Sequence, residues 1–133
     1  LAVFLAYRTL PDVAWFWGGL ALILFGFALE VRAAFNLSLS NMVGIPHVIV
    51  CKRPLKTQGL YTYVRHPLYV AYMLMALGFA VATGMSALWF LFFWLVAGLV
   101  WVAFVEEKEL VECFGDEYVK YMKKTAMFIP KIW

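Results

Sequence analysis

The chain has 133 residues, enough for one domain, with 65% hydrophobic residues, only 14% charged and a formal net charge of +3. That balance is far from the soluble average and belongs in a bilayer. The basic residues cluster at 52–65 and 120–131 beside apolar spans, which fits the positive-inside pattern and excludes a nucleic-acid reader, whose basic face must be broad and solvated.

The chain opens on Leu1, and the apolar piece 1–7 ends at Arg8, Pro11 and Asp12. Residues 1–8 read as the remnant of a truncated helix, since they lack the basic start and small-residue cleavage site of a signal peptide. Residues 13–29 are uncharged and rich in Leu, Phe and Trp, closed by Glu30 and Arg32, and predict a transmembrane helix over about 13–34. Trp15 and Trp17 suit an interfacial belt, and Gly18 and Gly26 share a face that either admits a neighbouring helix or meets lipid. From 36 to 66 the pattern breaks at Asn41, Gly44, Pro46 and Pro54, predicting interfacial loops and short pieces. His47, alone beside a proline, reads as structural. Cys51 and Cys113 have neither metal-ligand spacing nor a pairing pattern, so both are expected reduced and no metal is predicted.

The stretch Gly59-Leu-Tyr-Thr-Tyr-Val-Arg-His-Pro-Leu-Tyr69 follows. Pro67 suits the first position of a helix, where its fixed φ fits and its missing N–H costs nothing. Arg65 and His66 then stand at a helix start whose unpaired N–H groups already make the potential positive, the pattern of an anion site. From Pro67 to Val105 no formal charge occurs. A turn at Thr83-Gly84-Met85-Ser86 divides this run into spans of about 67–83 and 86–105, a helical hairpin that returns Glu106 and Glu107 to the level of Arg65 and His66. Ala76, Ala80 and Gly84 repeat every fourth residue and would let the two arms pack closely. Beyond the hairpin, Leu110, Phe114, Tyr118 and Tyr121 recur at helical spacing among acidic residues. This predicts an amphipathic C-terminal helix over 106–124, with a candidate interruption at Gly115 and Pro130 as its stop. Lys120, Lys123 and Lys124 suit its last turn and an anionic membrane surface. The fold class is all-α, a multi-pass transmembrane bundle forming one domain.

Arg65, His66, Glu106 and Glu107, with Tyr61, Tyr63, Tyr69, Tyr72, Tyr118 and Tyr121 close in sequence, offer partners for a ligand with a carboxylate, an amine, sugar hydroxyls and a flat ring. Two readings stand side by side: a binding site, or an ion pair of Arg65 with Glu106 inside a tyrosine belt.

The 59–69 stretch, followed after the hairpin by Glu106-Glu-Lys-Glu-Leu110 and Phe114-Gly-Asp-Glu-Tyr-Val-Lys-Tyr121, resembles the isoprenylcysteine carboxyl methyltransferase family. That family and the related phospholipid N-methyltransferases are multi-pass membrane enzymes using S-adenosylmethionine. The resemblance covers about 55–130; the first helix matches only as a hydrophobic span. Ala71 stands where the family often has glycine, and Arg53 where it has histidine. The resemblance implies that His66 and the backbone around 61–64 (Tyr61, Val64) hold the cofactor, and that Arg65 orients the acceptor or the cofactor carboxylate. It implies that Tyr69 lines the pocket, Glu106 and Glu107 bind amino or ribose groups, and Tyr118 and Tyr121 close it. Arg65 and Glu107 are its catalytic candidates.

The reaction implied is in-line displacement on the sulfonium methyl by a lipid-like acceptor such as an isoprenylcysteine carboxylate. Alignment in a dry pocket supplies most of the acceleration. A carboxylate acceptor needs no base, and an amine would lose its proton to Glu107 or His66. Two other readings remain open: an NADPH-dependent membrane sterol or enone reductase, and a non-catalytic helical scaffold. The polar ring is expected on the cytoplasmic side.

Overall fold

The computed structural model describes residues 13–37 and 54–130. The truncated-helix remnant, His47, Cys51, Arg53 and most of the interfacial stretch lie outside the described residues. Four α-helices account for most of the rest: α1 (Val13–Leu37), α2 (Pro67–Thr83), α3 (Ser86–Phe114) and α4 (Asp116–Lys124), with a single 3₁₀ turn at Gly59–Thr62 before α2. Among the described residues the only β-type pairing is an isolated parallel bridge between Val64 and Ala126. Two helices, Val13–Phe35 and Ser86–Phe114, are long and apolar enough to cross a membrane. The 17-residue α2 is apolar as well and rises about 25 Å.

Pro67 opens α2 as expected. The helix closes at Gly84, whose φ of 63° is the left-handed value that glycine adopts without a Cβ penalty. Its N–H donates to the Ala80 carbonyl at 3.0 Å, and Met85 is extended before α3 begins, so the hairpin turns where the sequence places it.

The closest helix packing is not between the hairpin arms. It lies between α1 and α2, which run antiparallel and make most of the interhelical contact. A Cβ at Gly19 would come within 2.5 Å of the Ala82 nitrogen, one at Gly78 within 2.6 Å of the Gly19 carbonyl, and one at Gly26 within 2.9 Å of the Ala71 carbonyl. The face expected from Gly18 and Gly26 is therefore shifted: Gly18 meets nothing within 4 Å, and its neighbour Gly19 makes the approach. Seven-residue spacing returns a helix close to the same face, whereas eight overshoots it. Ala71, standing in place of a family glycine, is fully buried against this seam, and Gly26 opposite supplies the room. The outer surface of α3 is uncovered: Trp94 and Trp101 are 73% and 72% exposed.

Helix α3 continues unbroken past Val105 to Phe114, so the charged segment from Glu106 begins mid-helix rather than opening a new one. The break falls at Gly115, with φ 54° and ψ −129°. The short α4 carries Asp116 and Glu117 in its first turn and Lys123 and Lys124 in its last, both favourable to its dipole. It stops at Lys124, well before Pro130, because Thr125 is extended and the chain pairs with residues 64–66 instead. Cys113 is disulfide-bonded, which corrects the expectation of a reduced thiol. Sequence spacing alone does not report which distant thiols the fold brings together.

Candidate functional site

The antiparallel course of α1 and α2 sets the start of α2 beside the end of α1, and the hairpin brings α3 back to that same level. His66 caps α2 without a side-chain bond to its own helix, which frees the imidazole to face α3. Glu106 and Glu107 are one helical step apart on α3. His66 Nε2 lies 3.2 Å from Glu107 Oε1, and Nδ1 lies 3.6 Å from Glu106 Oε2. Tyr69 sits almost one turn into α2; its hydroxyl donates to Glu106 Oε1 at 2.6 Å, and its ring stacks on His66 with centroids 5.2 Å apart.

Arg65 holds Glu107 from the other side. Nε donates to Oε1 at 2.6 Å and Nη2 to Oε2 at 3.2 Å, the fork geometry that suits a carboxylate. Nη1 donates to the Met122 carbonyl at 3.2 Å and also to the Thr125 carbonyl. The expected ion pair exists, but with Glu107 rather than Glu106. The anion that joins the cationic helix start is supplied by the chain itself. The amides there are engaged too: Arg65 N–H donates to the Ala126 carbonyl at 2.9 Å and His66 N–H to the Met127 carbonyl at 3.2 Å.

The upstream backbone is similarly occupied. The amides of Tyr61, Tyr63 and Val64 donate to the Gln58 or Leu60 carbonyls, and the Tyr61 carbonyl accepts from the Tyr121 hydroxyl at 2.5 Å. Tyr118 is 1% exposed, its ring 5.8 Å from that of Tyr121, so both tyrosines bind α4 to the cluster. The sequence-selected residues therefore converge, in two tiers. His66, Tyr69, Glu106 and Glu107 form the polar face, while Tyr61, Val64, Tyr118 and Tyr121 build the wall behind it.

Burial pushes His66 below the usual histidine range and Arg65 adds to that, against an upward pull from Glu106 and Glu107. Neutral imidazole has one N–H. The shorter contact assigns it to Nε2, donating to Glu107, and leaves the Nδ1 lone pair beside Glu106. Burial also raises Tyr61, with Tyr121 reinforcing it, and Tyr118, with Glu107 reinforcing it. Tyr121 is pushed up to about 12, chiefly by burial. These phenols remain donors at neutral pH. One cation against two carboxylates, with His66 neutral, leaves the cluster net negative, which suits a cationic ligand group. The Glu106 side chain is 43% exposed, whereas those of Glu107 and His66 are each 7% exposed, so Glu106 is the carboxylate within reach.

Sequence reasoning missed the segment 125–128. Its carbonyls receive Arg65 and His66, and the Phe128 ring lies 5.8 Å from the imidazole. The available signal was the apolar run Thr125-Ala-Met-Phe-Ile129 after the lysines, too short for a helix and suited to an extended strap.

The fold and site define a membrane protein with a polar cluster at one end of a helical hairpin. The model of the phospholipid methyltransferase family matches residues 14–117, most of the chain, and the chain belongs to that family. Its relatives include a protein-S-isoprenylcysteine O-methyltransferase of Schizosaccharomyces pombe, 38% identical over 65% of this chain and 39% of that protein. A methanethiol S-methyltransferase of Pseudomonas deceptionensis is 32% identical over 80% and 43%. The protein-S-isoprenylcysteine O-methyltransferase of Xenopus laevis is 29% identical over 95% and 44%. The chain spans about half the length, or less, of the first curated relatives it matches.

Proposed function

We propose that this chain carries the cofactor-binding end of an S-adenosylmethionine-dependent membrane methyltransferase acting on a lipid-like acceptor. The observation that carries this reading is the net-negative, aromatic-walled cluster of His66, Tyr69, Glu106 and Glu107, since a cationic sulfonium cofactor with an ammonium group suits it and a dinucleotide phosphate does not. When bound, that cofactor supplies an electrophilic methyl group. Glu106, partly exposed and polarised by the Tyr69 hydroxyl, would hold its ammonium or ribose groups. The face of Tyr69 and the rings of His66 and Phe128 would exclude water from it.

Glu107 is held at both oxygens by Arg65 and fixes the His66 tautomer. It is therefore a weaker candidate base than the sequence suggests. His66 Nδ1 and Glu106 are the better placed acceptors for a proton from an amine or thiol, and a carboxylate acceptor needs neither. In this reading α1, α2 and α3 cross the bilayer, α4 lies at its surface with its lysines toward anionic lipid, and the site opens to the cytoplasm. The exposed apolar flank of α3 gives a lipid acceptor a lateral approach. The methanethiol S-methyltransferases among the relatives support a second acceptor class, a small thiol.

Calorimetric titration of the protein in detergent with S-adenosylhomocysteine and, separately, with NADPH tests the reading. Saturable binding of the first alone, weakened about tenfold by Glu106→Gln, is the expected result. Binding of NADPH alone would establish the reductase. A folded sample that takes neither would leave a scaffold. Product formation from a prenylated cysteine analogue against methanethiol then separates the two acceptors.

A further inference from the structure

We infer that Arg65 is a positioning residue that caps α4 and latches the strap 125–128 over His66, rather than a contact to acceptor or cofactor. Of the five N–H donors a guanidinium offers, those on Nε and Nη1 and one on Nη2 are engaged within the chain. The side chain is 10% exposed. Met122 lies in the last turn of α4 and Thr125 just beyond it, where helix carbonyls lose their intrahelical partners and a cation is favoured. Arg65 satisfies both carbonyls with one nitrogen.

The backbone repeats the connection. The amides of Arg65 and His66 donate to Ala126 and Met127, and Val64 pairs with Ala126. Side chain and main chain of the same residue thus hold the strap, and the strap delivers Phe128 against the imidazole. The other edge of the guanidinium fixes Glu107, which receives the His66 Nε2 proton. Arg65 therefore joins two things that would otherwise vary independently: the position of the strap and the tautomer of His66. Lysine keeps the charge but has neither the fork nor the reach to two carbonyls at once.

The inference rests on the cofactor reading above, and the full chain in detergent micelles tests the two separately. Hydrogen exchange at the amides of Arg65 and His66 reports the strap directly, and S-adenosylhomocysteine calorimetry reports the site. Arg65→Lys should speed exchange at both amides tenfold or more and weaken binding by about tenfold. Phe128→Ala should weaken binding with Arg65 intact, which keeps the test decisive if the lysine variant does not fold. Weakened binding in Arg65→Lys with wild-type protection at both amides would make Arg65 a direct ligand contact and overturn the latch. Faster exchange with unchanged affinity would overturn its link to the site, as would unchanged affinity in Phe128→Ala. If the wild-type protein binds no S-adenosylhomocysteine, the cofactor reading fails by itself, and exchange at the two amides still decides whether Arg65 holds the strap.

Discussion

The α1–α2 seam and the clasp at its polar end hold the chain together by opposite means. Along the seam, Gly19, Gly26 and Gly78 make contact by lacking side-chain atoms, so that backbones approach closely. In a bilayer, where lipid tails are as apolar as leucine, such packing replaces the hydrophobic drive. At the clasp, Arg65, His66, Tyr69, Glu106 and Glu107 make contact through donors and acceptors from positions 37 to 42 residues apart. The seam should therefore tolerate changes in polarity better than changes in volume. The clasp should tolerate volume and fail on the loss of a single charge.

Glu107→Ala is the largest test of that contrast. It strips the largely buried Arg65 of its carboxylate and leaves its charge uncompensated, with only the Met122 and Thr125 carbonyls as partners, a loss of about 3–5 kcal/mol, to be read as a lowered denaturation midpoint in mixed micelles. Glu107→Gln keeps an acceptor and should cost less. On the seam, Gly78→Ala should cost about 1–3 kcal/mol by overpacking, since its Cβ would meet the Gly19 carbonyl. Gly98→Ala, with nothing within 4 Å, should be neutral or slightly stabilising in the same assay. Equal effects at Gly78 and Gly98 would show that helix propensity, rather than close approach, governs the seam.

The two regions also differ in how far the sequence reveals them. Helix α2, its proline start and glycine stop, and the return of Glu106 and Glu107 follow from local signals: a missing N–H, a left-handed residue, and the length of an uncharged run. The choice of Gly19 over Gly18 does not, because one residue rotates a helix face by about 100° and sequence carries no partner to fix the phase. The pairing of Arg65 with Glu107 rather than Glu106 is hidden for the same reason. The strap is hidden more deeply, since its bonds are made by backbone carbonyls at 125–127 that carry no residue code.

Within the clasp, Tyr69→Phe removes one hydroxyl donor from the partly exposed Glu106 while retaining the ring stacked on His66. A lost hydrogen bond of this kind is worth about 1 kcal/mol, and because water can reach Glu106, stability should fall by less than that. Affinity for S-adenosylhomocysteine should fall several-fold. An unchanged affinity would separate Glu106 from the ligand and confine the site to His66 and the strap.

The response to pH also distinguishes the two regions. The close approaches of the seam are made by Gly19, Gly26, Gly78, Ala71 and Ala82, none of which titrates, so a slope of stability near neutrality that depends on His66 belongs to the clasp. His66 faces Glu106, Glu107, Arg65 and Tyr69, and burial lowers its folded value below its unfolded one of about 6.5. Its stability contribution is therefore fully present above about pH 6.5 and is lost as pH falls toward the folded value, because the unfolded chain takes up the proton first. One proton gives at most about 1.4 kcal/mol per pH unit, and the pull of the two carboxylates keeps the window narrow. Denaturation midpoints between pH 5 and 7.5 should show this slope in the wild type and lose it in His66→Gln. A slope that survives the substitution would assign the titration to another group and leave the imidazole protonated in the fold, with both its nitrogens donating to the paired glutamates.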